Sequence, residues 1–198
     1  MRKRDEKKKE LICSKAIEII VREGFDGLSM HKLAKAANVS PATIYIYFKD
    51  REDLIIQLCI KEFDKMGDVT LKNFDPSMHF NEGLKVQWMN RIKYCLENTL
   101  SMHFLEQAKF SPYIGLALDK ANVRFRQVMK QFVQNATEKG EIVSLPLEVY
   151  WSLAFSPLYT LVKFHMEKKG LPGTENFVLN EEIMNKTLEL VLKALKPS

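Results

Sequence analysis

Apolar residues fall at three- and four-residue steps along most of the chain, the period of helices that bury one face. Leu11, Ile12, Ala16, Ile19 and Ile20 predict an amphipathic helix over residues 6–23. Gly24 follows where helices commonly end in the left-handed conformation. Ser29 is a preferred N-cap, and Leu33, Ala34 and Ala37 then share one face of a second helix of about two turns. Asn38 tolerates a left-handed turn, and Val39 tucks inward. Ser40-Pro41 sets a capping hydroxyl before a proline at the first helical position and predicts a third helix over residues 41–47, with Ile44 and Phe48 inward. Asp50 then caps a connecting helix over residues 52–66, striped by Leu54, Ile55, Leu58, Phe63 and Met66.

Gly67, Asn73, Asp75 and Pro76 read as a linker over residues 67–81. Leu84, Trp88, Ile92, Cys95, Thr99 and Met102 predict one helix of about five turns. Residues 104–115 are irregular, broken at Ser111-Pro112. A clean stripe from Leu118 through Phe125, Val128 and Phe132 to Ala136 ends at Gly140. Residues 146–168 are apolar nearly all round, with a kink expected at Pro157. Beyond the turn at 170–173, Asn180 caps a last helix over residues 180–195. No repeat and no strand pattern is present, so the expected fold is all-α: a three-helix unit over 1–51 and a larger helical domain over 52–198. The uncharged stretch 149–162 falls short of the about 20 residues a bilayer needs.

A chain of 198 residues buries a core without a metal or disulfide staple. Cys13, Cys59 and Cys95 are far apart and form no CxxC, as suits a reducing cytoplasm. Charge sharpens the division. Residues 1–51 hold 12 basic and 7 acidic side chains, while the remainder holds 18 of each, so the whole excess of +5 lies in the first quarter. A polyanion partner explains this, and so does a solvated tail over residues 2–9. The spacing favours the partner. A two-turn helix, a tight turn and a short helix opened by Ser-Pro make a helix-turn-helix pattern. The outer side of the third helix offers Ala42, Thr43, Tyr45, Ile46 and Tyr47, followed by Lys49 and Arg51. Small residues admit such a helix to a major groove about 12 Å wide, and tyrosine hydroxyls and helix N-termini commonly meet phosphates. A structural bundle with surface tyrosines is the plainer alternative.

Leu33-Ala34, Val39-Ser40 and Tyr45-Ile46-Tyr47-Phe48-Lys49 make residues 24–54 resemble the DNA-binding domain of the TetR family of bacterial transcriptional regulators. The resemblance implies that Ser29, Ser40, Tyr45, Tyr47, Lys49 and Arg51 hold the DNA backbone. It implies that His31, Pro41, Ala42, Thr43 and Ile46 face bases. Two residues depart from the pattern: Asn38 replaces the turn glycine, and Ile46 stands where polar residues are frequent, which favours contact with a thymine methyl.

The second domain is rich in aromatic residues and methionines. Trp88, Met89, Ile92, Met102, Phe104, Phe110 and Tyr113 are candidates to line an effector pocket, with Phe125, Met129, Phe132, Trp151, Phe155 and Tyr159. Plain core packing explains such stripes equally well. The resemblance implies an effector cavity in this region and a homodimer through residues 146–168 and 180–195.

There is no GxSxG, HExxH, P-loop or GxGxxG, the histidines lack metal spacing, and no cofactor is implied. The expectation is a cytoplasmic, homodimeric repressor on a roughly palindromic operator in double-stranded DNA, released by a small apolar effector, and not an enzyme. An activator or DNA organiser on the same fold is a rival. So is a helical carrier of lipids or apolar molecules whose basic N-terminus touches a membrane surface.

Overall fold

The computed structural model describes residues 2–168, 170–172 and 176–197, with side chains from Asp5 onward; Gly173 of the expected turn lies outside them. Every regular element among the described residues is helical. The chain divides into two compact units, the first made of Met1–Lys65 and Asn98–Asn122, the second of Met66–Glu97 and Val123–Ser198. Residues 98–122, assigned by linear reading to a domain beginning at 52, therefore cluster with the N-terminal helices.

In the first unit, α1 (Arg2–Glu23) packs on α2 (Met30–Ala36), which packs on α3 (Pro41–Tyr45). Helix α1 is 22 residues, about 33 Å. Its stripe of Ile12, Ala16, Ile19 and Ile20 is buried, as are Leu33, Ala34 and Ala37 of α2 and Ile44 and Phe48 around α3. Gly24 sits at φ 74°, ψ 176°, a region open essentially to glycine alone, and turns the chain into a single 3-10 turn at Phe25–Gly27. Helix α4 (Arg51–Thr70) follows, its residues up to Lys65 in this unit and the rest in the second; it is capped by Asp50, whose Oδ1 accepts from Asp53 N–H at 2.8 Å. Helices α6 (Thr99–Ala108) and α7 (Ile114–Lys120) complete the unit, and α6 packs on α1.

In the second unit, α5 (Phe80–Glu97) and α10 (Glu181–Leu195) each pack on α9 (Leu147–Glu167), with α8 (Val123–Glu138) alongside in the chain order. Gly83 lets α5 approach an aromatic stack: a Cβ there would lie 2.5 Å from the Phe132 ring. Phe80 stacks on Phe132 at 5.4 Å, and Phe74 meets its edge at 4.9 Å. Asn180 caps α10 by accepting from Ile183 N–H at 2.9 Å.

Several element ends differ from the expected ones. Helix α3 stops at Tyr45 rather than 47. Helix α4 runs on to Thr70, where its terminal carbonyl is claimed by Gln87 Nε2 at 2.8 Å and Asn90 Nδ2 at 3.1 Å, which shortens the linker. The expected five-turn helix is cut at Asn98 (φ −128°, ψ 48°) into α5 and α6. The stripe from Leu118 to Ala136 is cut at Asn122, held left-handed (φ 57°) by bonds to α4: its N–H to Asp64 Oδ1 at 2.7 Å, its side-chain amide to the Phe63 carbonyl. Helix α9 runs through Pro157.

Candidate functional site

The helix-turn-helix is fixed by two hydroxyl caps and one left-handed asparagine. Ser29 Oγ accepts from Lys32 N–H and Ser40 Oγ from Thr43 N–H, both at 3.2 Å. Asn38 (φ 52°) makes the turn between them without a glycine. Ser40 Oγ lies 2.9 Å from Thr43 Oγ1, so the Thr43 hydroxyl is tied to the start of α3. Ile44 and Phe48 anchor the inner side. On the outer side Ala42 is exposed, and Tyr45 and Ile46 are 53% and 76% exposed. Ser29, His31 and Ser40 are exposed beside them, and Pro41 and Thr43 half-buried.

The flank of α3 is held by a polar network. The Tyr47 hydroxyl donates to Asp5 Oδ1 at 3.3 Å, and burial followed by the Asp5 charge raises its pKa. Lys49 is exposed, and its N–H donates to Asp53 Oδ2 at 2.9 Å. Burial pushes the Asp53 carboxyl up, but hydrogen bonds from Gln57 and the Lys49 N–H outweigh it and leave the pKa lowered.

Arg51 is turned toward the body of its own unit. Its Nε donates to the Leu28 carbonyl at 2.8 Å, Nη2 to the Phe25 carbonyl, and Nη1 to the Tyr113 hydroxyl at 3.1 Å. The Phe25 carbonyl also accepts from the Leu28 N–H at 3.1 Å, so Arg51 closes the turn between α1 and α2 as an internal clamp with three of its five N–H donors. Tyr113, expected in the effector pocket, is spent on this clamp and on the Phe25 ring at 5.7 Å.

The other pocket candidates are distributed over both units. Met102, Phe104, Phe110 and Tyr113 belong to the first unit, the remaining nine to the second. Phe104 packs on Phe25 at 6.2 Å, whereas Phe110 is 91% exposed and rims a shallow groove with Val21 and His103. Met89 also faces solvent rather than an interior. In the second unit Trp88, Phe132 and Phe155 are fully buried and Met129 nearly so, while Ile92, Phe125, Trp151 and Tyr159 are half-buried. Trp88 Nε1 donates to the Ala154 carbonyl at 2.8 Å. At their centre stands a residue the sequence reading passed over, Arg91, 1% exposed. Its signal was position: it falls on the apolar stripe of Leu84, Trp88 and Cys95. Among the described residues no group of three or more His, Cys, Asp or Glu is placed to hold a metal, and no helix is long and apolar enough to cross a membrane.

Residues 12–58, spanning α1 to the first turns of α4, match the sequence signature of bacterial regulatory proteins of the tetR family. A solved TetR-family transcription regulator from Marinobacter aquaeolei superposes over the full length of both chains with a TM-score of 0.80 and 25% identity. Residues 12–58 carry a TetR-family DNA-binding domain. A TetR-family regulator from Haemophilus influenzae superposes over 97% of this chain and 98% of its own, with a TM-score of 0.79 and 26% identity. Among curated relatives, an uncharacterized HTH-type transcriptional regulator of H. influenzae is 28% identical over 188 residues, 94% of this chain and 95% of its own. A fatty acid metabolism regulator protein of Bacillus subtilis is 42% identical over 126 residues, 62% of this chain and 59% of its own. With that domain and these relatives, the chain is a DNA-binding transcriptional regulator.

Proposed function

We propose that this TetR-family regulator is a cytoplasmic homodimeric repressor that binds a roughly palindromic operator and is released by a small apolar effector. The observation that carries the reading is the outer side of α3, where Ala42, Tyr45 and Ile46 stand in solvent over an inner side locked by Ile44 and Phe48. Ser29, Ser40, Tyr45, Tyr47 and Lys49 grip phosphates; His31, Pro41, Ala42, Thr43 and Ile46 meet base edges. Two-fold symmetry then sets half-sites about one helical turn apart. For the dimer, α9 and α10 pack on one another and leave Leu147, Val149 and Leu153 of α9 and Leu190 of α10 exposed, an apolar surface suited to a second copy.

Gel shift against genomic fragments tests the reading. A preferred fragment is expected, with Thr43→Ala changing the preferred sequence more than total affinity. Binding without sequence preference would favour the carrier alternative. Linkage adds a second check: operator DNA weakens effector binding by the factor with which effector weakens operator binding, about 5–150-fold for typical couplings.

A further inference from the structure

Helix α5 carries one cation into the core of the second unit. The Arg91 guanidinium carbon lies 4.2 Å from the ring centroid of Phe155, 5.2 Å from Trp151, 5.4 Å from Phe125 and 5.9 Å from Tyr159. Nη1 donates to the Tyr159 hydroxyl at 2.7 Å and Nη2 to Gln87 Oε1 at 3.2 Å. The buried Nε–H meets no acceptor in the protein, and no ion pair among the described residues includes Arg91. The Tyr150 hydroxyl is likewise buried without a hydrogen-bond partner.

A guanidinium keeps its charge at any ordinary pH, so it cannot lower the cost of burial by releasing a proton. Ring faces offset part of that cost through their quadrupoles, but they and a neutral hydroxyl and amide leave the net charge in place. What is missing is one anionic acceptor. A carboxylate matches the planar fork of a guanidinium. The surrounding rings offer an apolar body a wall. Phe125 and Trp151 are only half-buried, so the rim of this ring of aromatics reaches the surface.

We propose that Arg91 is the anion anchor of the effector site, and that the effector is a small amphipathic organic acid. Its carboxylate pairs with the Nε–H of Arg91, and its apolar body lies against Phe125, Trp151 and Phe155. The proposal rests on the reading of the chain as an effector-released regulator and narrows the effector from apolar to apolar with one negative head.

The test uses the full-length protein, with decanoate and 1-naphthoate as acids and decanol as the neutral control. Binding is followed by calorimetry and by tryptophan emission, since Trp151 lies against the guanidinium. Either acid is expected to bind the wild type and to lose at least about tenfold in affinity in Arg91→Met, which keeps the apolar length and removes the charge. Arg91→Lys recovers part of the loss, and decanol binds all three proteins alike. The acid that binds is also expected to release operator DNA from the wild type and not from Arg91→Met. Equal affinity of the acids for wild type and a folded Arg91→Met overturns the anchor, while decanol binding in that case leaves the apolar-effector reading standing. Binding of none of the three probes overturns both. If Arg91→Met does not fold, the wild type decides: an acid bound about tenfold or more tighter than decanol supports the anchor, and parity overturns it.

Discussion

At the scale of single residues, the two cations that follow α3 have opposite fates. Lys49 projects into solvent, whereas all three donor nitrogens of Arg51 are committed to the turn between α1 and α2 and to Tyr113. Lys49→Ala is therefore expected to flatten the log–log dependence of operator affinity on salt by about two for a dimer, one per subunit. Arg51→Ala is expected to leave that slope unchanged and to lower stability by about 2 kcal/mol, because two backbone carbonyls lose a charged donor. Salt titrations and denaturant melts of the two variants separate the roles, and a flattened slope for Arg51→Ala would return that residue to the interface. Asn38 gives a second residue-level expectation. At φ 52° a side chain without a local hydrogen-bonding group is strained, so Asn38→Ala should cost about 1–2 kcal/mol by denaturant melts, while Asn38→Gly should be close to neutral. The helix-turn-helix geometry was legible in Ser29, Ser40 and Asn38 because each acts on its own neighbours in sequence. The fate of Arg51 was not, since its acceptors are carbonyls, which every residue has, and Tyr113, 62 positions away.

At the scale of elements, the sequence marks helix starts better than helix interruptions. Ser40-Pro41 and Asn180 announce α3 and α10 because a capping side chain must be Ser, Thr, Asp or Asn. The break at Asn98 carries no such mark: it makes no side-chain cap, and Cys95, Thr99 and Met102 stay in phase across it. The start of α5 was missed for a different reason, since its cap comes from far along the chain. Glu141 Oε2 accepts from the Phe80 N–H at 2.5 Å while Oε1 lies 2.9 Å from His79 Nδ1. The Phe80 N–H, against the opposing effect of burial and with help from His79, holds the Glu141 carboxyl below its usual pKa. A depressed carboxylate stabilises the fold fully above the unfolded pKa of about 4.3, and that contribution is lost as pH falls through the lower folded value. Glu141→Gln should therefore lower the melting temperature at pH 7 and match the wild type more closely with acidification below pH ~4. A constant gap between the two across that range would show that the charge on Glu141 does not stabilise α5.

At the scale of the whole molecule, the excess charge and the surface proposed for pairing lie in different parts of the chain. The excess of +5 belongs to residues 1–51, and the last helices carry the exposed leucines of α9 and α10. Neither suffices for operator selectivity on the proposed reading. One α3 helix reads only a few base pairs, and useful discrimination requires two such helices held at fixed separation. Joining two weak contacts makes the second intramolecular, and affinity then rises by about 10²–10⁴ without a new contact. The α9–α10 surface would act on DNA through this term alone, although it touches none. Placing a charge at its centre with Leu153→Glu should disperse the dimer in sedimentation at micromolar concentration. The same variant should lose about 100-fold or more in affinity for the full operator, yet bind an isolated half-site as the wild type does. That pair of results cannot arise from unfolding, which would abolish half-site binding as well. A variant that sediments as a monomer while keeping full operator affinity would mean that symmetry plays no part in recognition, and one that remains dimeric would move the interface to another face.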